Sequence, residues 1–173
     1  AASAKVSIEL LAAPINIGAL SVNDLETCAH ALITLLLLPR APLPAFAHLF
    51  SMGGELSLMV EASHVDALNE SHPASARMLH RALDAALPEL GYSAHGSGAE
   101  PPARWRGDAW RAFAVRARDG CAEVGLLSAV AAPLHSLPLM NVSTLDENYV
   151  LVRSDDASRA LELLKPHFDV KQA

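Results

Sequence analysis

Two short stretches in the C-terminal half have residue types that could hold a small zwitterion. Segment 119–123 precedes a predicted helix and contains Gly120 and Glu123. Backbone amides at a helix start bind a carboxylate, and Gly120 permits a close approach of the backbone. The Glu123 carboxylate could receive an ammonium group, so the two features together suit the head group of an α-amino acid.

The second stretch is the predicted turn 145–148, which carries Asp146, Glu147 and Asn148. We expect it to face segment 119–123 in the folded unit. The alternative is that Glu123 only caps its helix and that Asp146 lies in a solvated turn. The residue pattern alone leaves both interpretations open.

Sequence patterns typical of enzymes are missing. The eight histidines have no HxxxH or HxH spacing, which argues against a zinc site. Cys121 forms no recognisable nucleophile signature with a His or Asp, so a small buried thiol is favoured. Ser143 and Thr144 lack a nucleophile elbow, and their hydroxyls are expected to satisfy backbone groups at a strand end. We therefore predict no enzyme, no catalytic residue, no metal and no cofactor.

The composition is that of a packed globular chain. The 173 residues suffice for one domain or two small ones, with 51% hydrophobic and 18% charged residues. The net charge of −6 is spread without a basic run, which argues against a nucleic-acid partner. Two cysteines make no disulfide framework and favour a reducing compartment, so we expect a cytoplasmic protein.

No membrane association is predicted either. The longest apolar run, 31–38, is too short to span a bilayer, and the N-terminus lacks a signal-peptide pattern. The chain begins with Ala1 and not with Met, which is typical of a processed or trimmed product.

Hydrophobic spacing predicts alternating strands and helices along the chain. Strands are expected at 5–10, within 45–51, and at 55–60, 110–115, 137–144 and 149–152. Helices are expected at 24–38, 65–68, 74–87, 123–132 and 156–164. Residues 14–23 read as a break, Gly53-Gly54 as a hairpin turn, and 91–106 as a flexible surface loop. The helix at 24–38 is apolar nearly all round and should be well buried.

A weak internal repeat suggests two similar units. Residues 56–68 and 148–161 each read as a strand that enters a turn and then a helix. The predicted fold class is α+β, with two similar small units in tandem. The predicted boundaries are 1–70 for the first unit, 71–108 for an inserted helix and loop, and 109–173 for the second unit.

The order of motifs resembles a known family. A strand headed by Trp110 precedes a helix ending in Ala-Pro-Leu at 132–134, a strand ending in Ser143-Thr144 and the segment 149–152. This order is similar to that of ACT-domain proteins of the CASTOR arginine-sensor type and their small bacterial relatives. Residues 35–40 and 56–61 resemble the sensor's first ACT unit, so the resemblance covers 5–68 and 110–170.

The resemblance implies two tandem ferredoxin-like βαββαβ units. It also implies an amino-acid-binding regulatory protein, a sensor whose ligand lies between two ACT units. Carried over by position, the implied ligand-binding residues belong to a loop-to-helix segment, a turn and a strand start contributed across the interface. They are Gly120, Glu123, Val124, Leu145, Asn148, Pro138 and Leu139. The sensor has twice as many ACT units, so a homodimer would be needed to rebuild its interface.

Two positions depart from the family pattern. Leu145 replaces the turn aromatic, and Asn148 replaces the turn carboxylate. An amide does not pair with a guanidinium as a carboxylate does, although Asp146 or Glu147 could substitute. Arginine is therefore one candidate ligand among the amino acids, and a regulatory protein is expected as partner. The alternatives are a ligand-free interaction scaffold that retains the ACT fold and, as a third reading, an enzyme using Cys121.

Overall fold

The computed structural model describes residues 6–37, 46–52, 54–89, 109–117, 125–144 and 147–172. These residues form eight strands: β1 Val6–Leu10, β2 Ile15–Ser21, β3 Ala47–Met52, β4 Glu55–Glu61, β5 Trp110–Ala117, β6 Leu139–Ser143, β7 Asn148–Arg153 and β8 Asp169–Gln172. They also form five α-helices: α1 Leu25–Leu37, α2 Ala62–Ser71, α3 Pro73–Glu89, α4 Leu126–Ala131 and α5 Ala157–Leu164.

The chain divides into two compact units. One, here called the split unit, combines Ala1–Pro14 with Ala109–Ala173. The other, here called the continuous unit, is Ile15–Asp108. Each contains strands and helices in the alternating order typical of ferredoxin-like folds. The predicted α+β class with two such units is confirmed.

The split unit is built on β5. Strand β5 pairs antiparallel with β7 on one side and with β1 on the other. Strand β6 extends the sheet beyond β7, and β8 extends it beyond β1 in parallel pairing. From β5 onward the element order is βαββαβ, as predicted, with β1 inserted between the first and last strands of that motif.

Alternating residues of these strands form the core of the split unit. Ile8, Phe113 and Val150 are fully buried and pack with the apolar residues of α4 and α5. Helix α5 contributes Ala157, Ala160, Leu161 and Leu164 at helical spacing, which places them on one face. This packing holds β5 and β7 rigidly, and their ends carry the candidate site.

The continuous unit has the order β2-α1-β3-β4-α2-α3, with β4 paired antiparallel to both β2 and β3. Leu20, Leu58 and Leu79 are fully buried in its core, between the strands and the three helices. A two-residue hairpin turn joins β3 to β4, where Met52 is opposite Glu55 and Gly54 has φ +87°. The left-handed conformation explains a glycine there, as predicted.

Glu61 is a buried charged residue that pins the start of β3 in this unit. One of its carboxylate oxygens accepts a hydrogen bond from the backbone N–H of Phe46 at 3.1 Å, and the other lies 3.6 Å from Nδ1 of His64. The backbone N–H of Glu61 also donates to the carbonyl of Phe46 at 3.3 Å. A buried carboxylate is tolerated because these groups satisfy it.

Two strands were not predicted. Residues 14–23 were interpreted as a break, but 15–21 form β2, which pairs with β4 along seven residues. Pro14 and Gly18 are typical strand breakers, so the strand was not recognised. In addition, its apolar residues are buried on both faces and therefore do not alternate with polar ones. Strand β8 was missed because its residues are mostly exposed and only Val170 of its four packs against the core.

Two helix predictions need correction. Helix α4 begins at Leu126 and not at Glu123, because Gly125 has φ +87°, which lies outside the helical range. Helix α1 is not buried all round, since Ile33 is 47% and Leu37 is 71% exposed. The buried face of α1 is formed by Cys28, Ala31, Leu32 and Leu35.

The unit boundaries also differ from those predicted. Strand β1 was assigned to the first unit but belongs to the split unit, because it pairs with β5 and β8. Helix α3 was placed in an insertion, yet it packs on β2 and α1 within the continuous unit. Residues 91–106, predicted as a loop, lie outside the described residues.

The assignment of β1 predicts which unit a β1 variant destabilises. Replacing fully buried Ile8 by Ala should lower the free energy of unfolding by about 2–5 kcal/mol, because a cavity forms in the split unit's core. Native-state hydrogen exchange should show the loss of protection in β5 and β7. Ser7→Ala is the matched control, and larger losses in β2 and β4 would contradict the assignment.

Candidate functional site

The candidate site lies at one end of the split unit's sheet. Val115 near the end of β5 is opposite Asn148 at the start of β7, and Asn148 is opposite Ser143 at the end of β6. The point where the chain leaves β5 and the two flanks of the β6–β7 turn are therefore at the same end. Both predicted ligand-binding segments, 119–123 and 145–148, attach there.

Thr144 closes the β6–β7 turn on Glu147. The Thr144 backbone N–H donates to the Glu147 carbonyl at 2.8 Å, and its hydroxyl donates to the same carbonyl at 2.9 Å. The Glu147 backbone N–H in turn donates to the Thr144 hydroxyl at 3.0 Å. The prediction that this hydroxyl satisfies backbone groups at the strand end is confirmed.

A four-residue polar network, here called the Arg116 network, joins this turn to the neighbouring strands. Arg116 Nε donates to Oε1 of Glu147, and Arg116 Nη1 donates to Oε2 of Glu9 at 2.5 Å. The Tyr149 hydroxyl donates to Oε2 of Glu147. One guanidinium therefore connects β1, β5 and the residue that precedes β7.

The sheet register explains why these side chains meet. Glu9 and Tyr149 are both opposite Ala114, on either side of β5, and residues opposite one another share a sheet face. Arg116 is two residues further along β5 and points to that same face. The small side chain of Ala114 leaves room for the longer ones around it.

The network shifts three pKa values. The hydrogen bond from Arg116 lowers the pKa of the Glu147 carboxyl below its ordinary 4.5, although partial burial opposes this. Burial, and then the hydrogen bond to Glu147, raise the pKa of the Tyr149 hydroxyl well above its ordinary 10.0. The hydrogen bonds to Glu147 and Glu9 raise the pKa of the Arg116 guanidinium. Glu147 is therefore held as an anion by a guanidinium that it shares with Glu9.

The predicted site residues fall into three groups. Asn148 is half-buried at the site end of the sheet. Exposed Pro138 precedes Leu139, which is opposite Val152 and packs against the core. Leu139 is four residues along β6 from Ser143, the partner of Asn148, a distance of about 13 Å along the strand. Gly120, Glu123, Val124 and Leu145 lie outside the described residues, as does Cys121.

One chain therefore does not bring Asn148 and Leu139 together within the split unit. The resemblance assigned Pro138 and Leu139 to the other side of an interface, and their position at the opposite end of β6 is compatible with that assignment. Their role stays a prediction.

Sequence reasoning missed Arg116 and Glu9 as members of the site. Arg116 occupies an exposed position in β5, where a lone arginine reads as an ordinary surface residue. Its two carboxylate partners are 31 and 107 residues away in the sequence. Only the pairing of β1 with β5 brings Glu9 near, and the sequence had placed β1 in the other unit.

Two further classes of site are absent from the part of the chain that the structure describes. No group of three or more His, Cys, Asp or Glu side chains there could hold a metal ion. Among the same residues, no helix has the length and apolar character needed to cross a membrane.

Comparison with known proteins shows a shared fold at low identity. No protein-family model and no curated protein matches the sequence. A protein from Agobacterium tumefaciens is 17% identical with a TM-score of 0.57, and the match covers 99% of this chain and 94% of that chain. The regulatory subunit of aspartate kinase from Thermus thermophilus is 14% identical with a TM-score of 0.51, covering 96% and 99%.

A larger enzyme contains a similar part. Aspartate kinase from Clostridium acetobutylicum is 11% identical with a TM-score of 0.54, and the match covers 94% of this chain but only 34% of the enzyme. These likenesses confirm the predicted ACT-like fold. The closer resemblance to the arginine-sensor type stays a prediction.

The lowered pKa of Glu147 predicts a pH-dependent contribution to stability. Because the folded-state pKa is depressed, the contribution is present above 4.5 and is lost as the pH falls through the folded value. Glu147→Gln should therefore lower the free energy of unfolding by up to about 1 kcal/mol at about pH 7. The value is modest because the Arg116–Glu147 pair is partly exposed. Chemical denaturation at several pH values should show this difference vanish in acid.

Glu162→Gln, on the exposed face of α5, is the control for that measurement. A Glu147→Gln cost that persists unchanged in acid would contradict the assignment of the charge-assisted bond to Glu147.

The raised pKa of Tyr149 can be measured directly. The sequence has two tyrosines, so Tyr92→Phe leaves Tyr149 as the one phenol that absorbs on ionisation. Its ultraviolet titration midpoint should lie above the ordinary 10.0, and Glu147→Gln should move it back toward that value. Circular dichroism confirms that the chain is still folded at each pH. A midpoint that Glu147→Gln leaves unchanged in the folded protein would show that the hydroxyl does not donate to Glu147.

Proposed function

We propose that this protein is an amino-acid-binding regulatory module and not an enzyme. Its ligand is held at the end of the split unit where segment 118–124 and the turn 145–146 attach. The observation that carries the proposal is the strand register, with Val115 opposite Asn148. Two segments that are distant in the sequence, and that separately suit a zwitterion, thus begin at the same end of one sheet.

The Arg116 network supports this assignment. It ties Glu147, which adjoins the turn, to Arg116, which lies one residue before the end of β5. The flanks of the two ligand-binding segments are thereby held in a fixed relation. A site built on strand ends loses less conformational entropy on binding than one built on a free loop.

Two of the similar structures support a regulatory role by analogy. The Thermus thermophilus neighbour is described as a regulatory subunit, and the Clostridium acetobutylicum neighbour as an allosteric enzyme. One fold can have many functions, so the similar structures only suggest a regulatory role. The proposal itself depends on the residues of the site.

In the proposed complex, backbone amides near Gly120 receive the ligand carboxylate, and Glu123 receives the ammonium. Val124, Leu145 and Asn148 contact the remainder of the ligand. Pro138 and Leu139 are contributed by a second copy of the chain, so the functional form is a homodimer. The ligand acts by favouring one dimer arrangement over another, and a partner protein responds to that population shift.

The scaffold alternative has one observation in its favour. Helix α1 exposes three apolar side chains, Leu25, Ile33 and Leu37, at 38%, 47% and 71%. Exposed apolar side chains that form a contiguous patch mark surfaces that contact another protein. A ligand-free protein that acts only by this surface would not respond to any amino acid.

A thermal-shift screen against the standard amino acids tests the proposal. A true ligand raises the melting temperature by binding the native state, and the shift grows with ligand concentration. Glu123→Ala should abolish the shift, because the ammonium loses its counter-charge. Isothermal titration calorimetry confirms each hit, with Glu162→Ala as the matched control.

A chain that binds no amino acid by either method would refute the proposed function and favour the scaffold. If the ligand still raises the melting temperature of Glu123→Ala by the same amount, the proposed function stands but the binding site lies elsewhere.

A further inference from the structure

Two histidine rings that are distant in the sequence lie close together in the continuous unit. His30 is on α1, and His72 is the residue between α2 and α3. Their ring centroids are 6.2 Å apart, and their planes are inclined by 57°. Sequence spacing had argued against a metal site because no two histidines form a local motif. The fold brings this pair together from separate helices, which no local spacing reveals.

Hydrogen bonds of the backbone and the side chain fix His72 and its tautomer. Its backbone N–H donates to the Leu68 carbonyl at 2.9 Å, and its carbonyl accepts from the Ala76 N–H at 2.9 Å. The Ser71 hydroxyl donates its proton to the Ala67 carbonyl at 2.6 Å. That hydroxyl therefore accepts from Nδ1 of His72, 2.9 Å away. With the hydrogen on Nδ1, Nε2 of the neutral ring keeps its lone pair.

The His30 ring is oriented in a similar way from another helix. Its Nδ1 lies 2.8 Å from the hydroxyl of Ser75 on α3. In both rings a serine hydroxyl thus contacts Nδ1, and neither Nε2 has a hydrogen bond to a residue that the structure describes. Histidines that bind metal ions typically use their other ring N–H in an orienting hydrogen bond of this kind. His30 is exposed, so an ion reaches the pair from solvent.

We propose that His30 and His72 bind one divalent transition-metal ion through their Nε2 atoms, with water completing the coordination. Imidazole nitrogen is a preferred ligand of Zn²⁺, Ni²⁺ and Cu²⁺. Rings that share a tetrahedral ion have centroids about 5 Å apart, so the exposed His30 ring needs to move by only about 1 Å. The described residues lack the other class of site, with three or more protein ligands, so the affinity is modest.

The ion would connect three helices of the continuous unit. His30 belongs to α1, whereas His72 joins α2 to α3. Only the folded chain brings the two rings together, so the ion binds the native state in preference and stabilises it. The proposal is independent of amino-acid binding, because it uses no residue of the split unit.

Calorimetric titration of the untagged full chain with Zn²⁺ or Ni²⁺ tests the proposal. Either ion should bind once per chain and raise the melting temperature, whereas Mg²⁺, which prefers oxygen ligands, should do neither. His30→Ala should weaken binding at least about tenfold, and it should fold because alanine suits an exposed helical position. His135→Ala, at an exposed position of the split unit, is the matched control and should leave the affinity unchanged.

Paramagnetic Cu²⁺ gives a second readout that needs no substitution. Substoichiometric Cu²⁺ should broaden the NMR signals of the His30 and His72 rings before those of the other histidines. This measurement decides the matter if His30→Ala does not fold. A chain that binds neither Zn²⁺ nor Ni²⁺, an unchanged affinity in folded His30→Ala, or earlier broadening at other histidines would overturn the proposal. None of these results affects the proposed function, which is tested with amino acids.

Discussion

The position of β5 between β1 and β7 is the constraint on which the split unit depends. Phe113 is opposite Leu10 on one side and Val150 on the other, and all three are buried. The large apolar side chains Phe113 and Val115 of β5 lie on one face, and a slip of one residue would turn them to the opposite face, so their packing fixes the register. The fixed register in turn places Arg116 between Glu9 and Glu147. The arrangement of the polar side chains follows from the apolar ones.

The Arg116 network contributes more to arrangement than to stability. Its members are partly exposed, and ion pairs at such positions stabilise proteins only weakly. Their value lies in geometry, since a planar guanidinium with several donors can hold two carboxylates in fixed directions. The hydroxyl of buried Tyr149 donates a further hydrogen bond to Glu147.

Most of the secondary structure could be predicted from the sequence, whereas the pairing of the strands could not. The period-two alternation of Val6, Ile8 and Leu10 identified β1, but nothing in that pattern named β5 as its neighbour. Strand β2 was hidden because a strand buried on both faces loses alternation and Gly18 reads as a breaker. For the site, local residue types indicated the turn with Glu147, while Arg116 and Glu9 became visible only through long-range pairing.

The split unit has a consequence for the order of folding. Strand β1 leaves the ribosome before its partner β5, which begins about a hundred residues later, as the pairing of Ile8 with Val115 shows. The apolar side chains of β1 therefore have no β5 to pack beside while the intervening continuous unit is synthesised and folds. Folding of that intervening unit draws the ends of the connection together and lowers the entropy lost when β1 docks. Strand β1 is therefore synthesised well before β5 but docks only once β5 has been made.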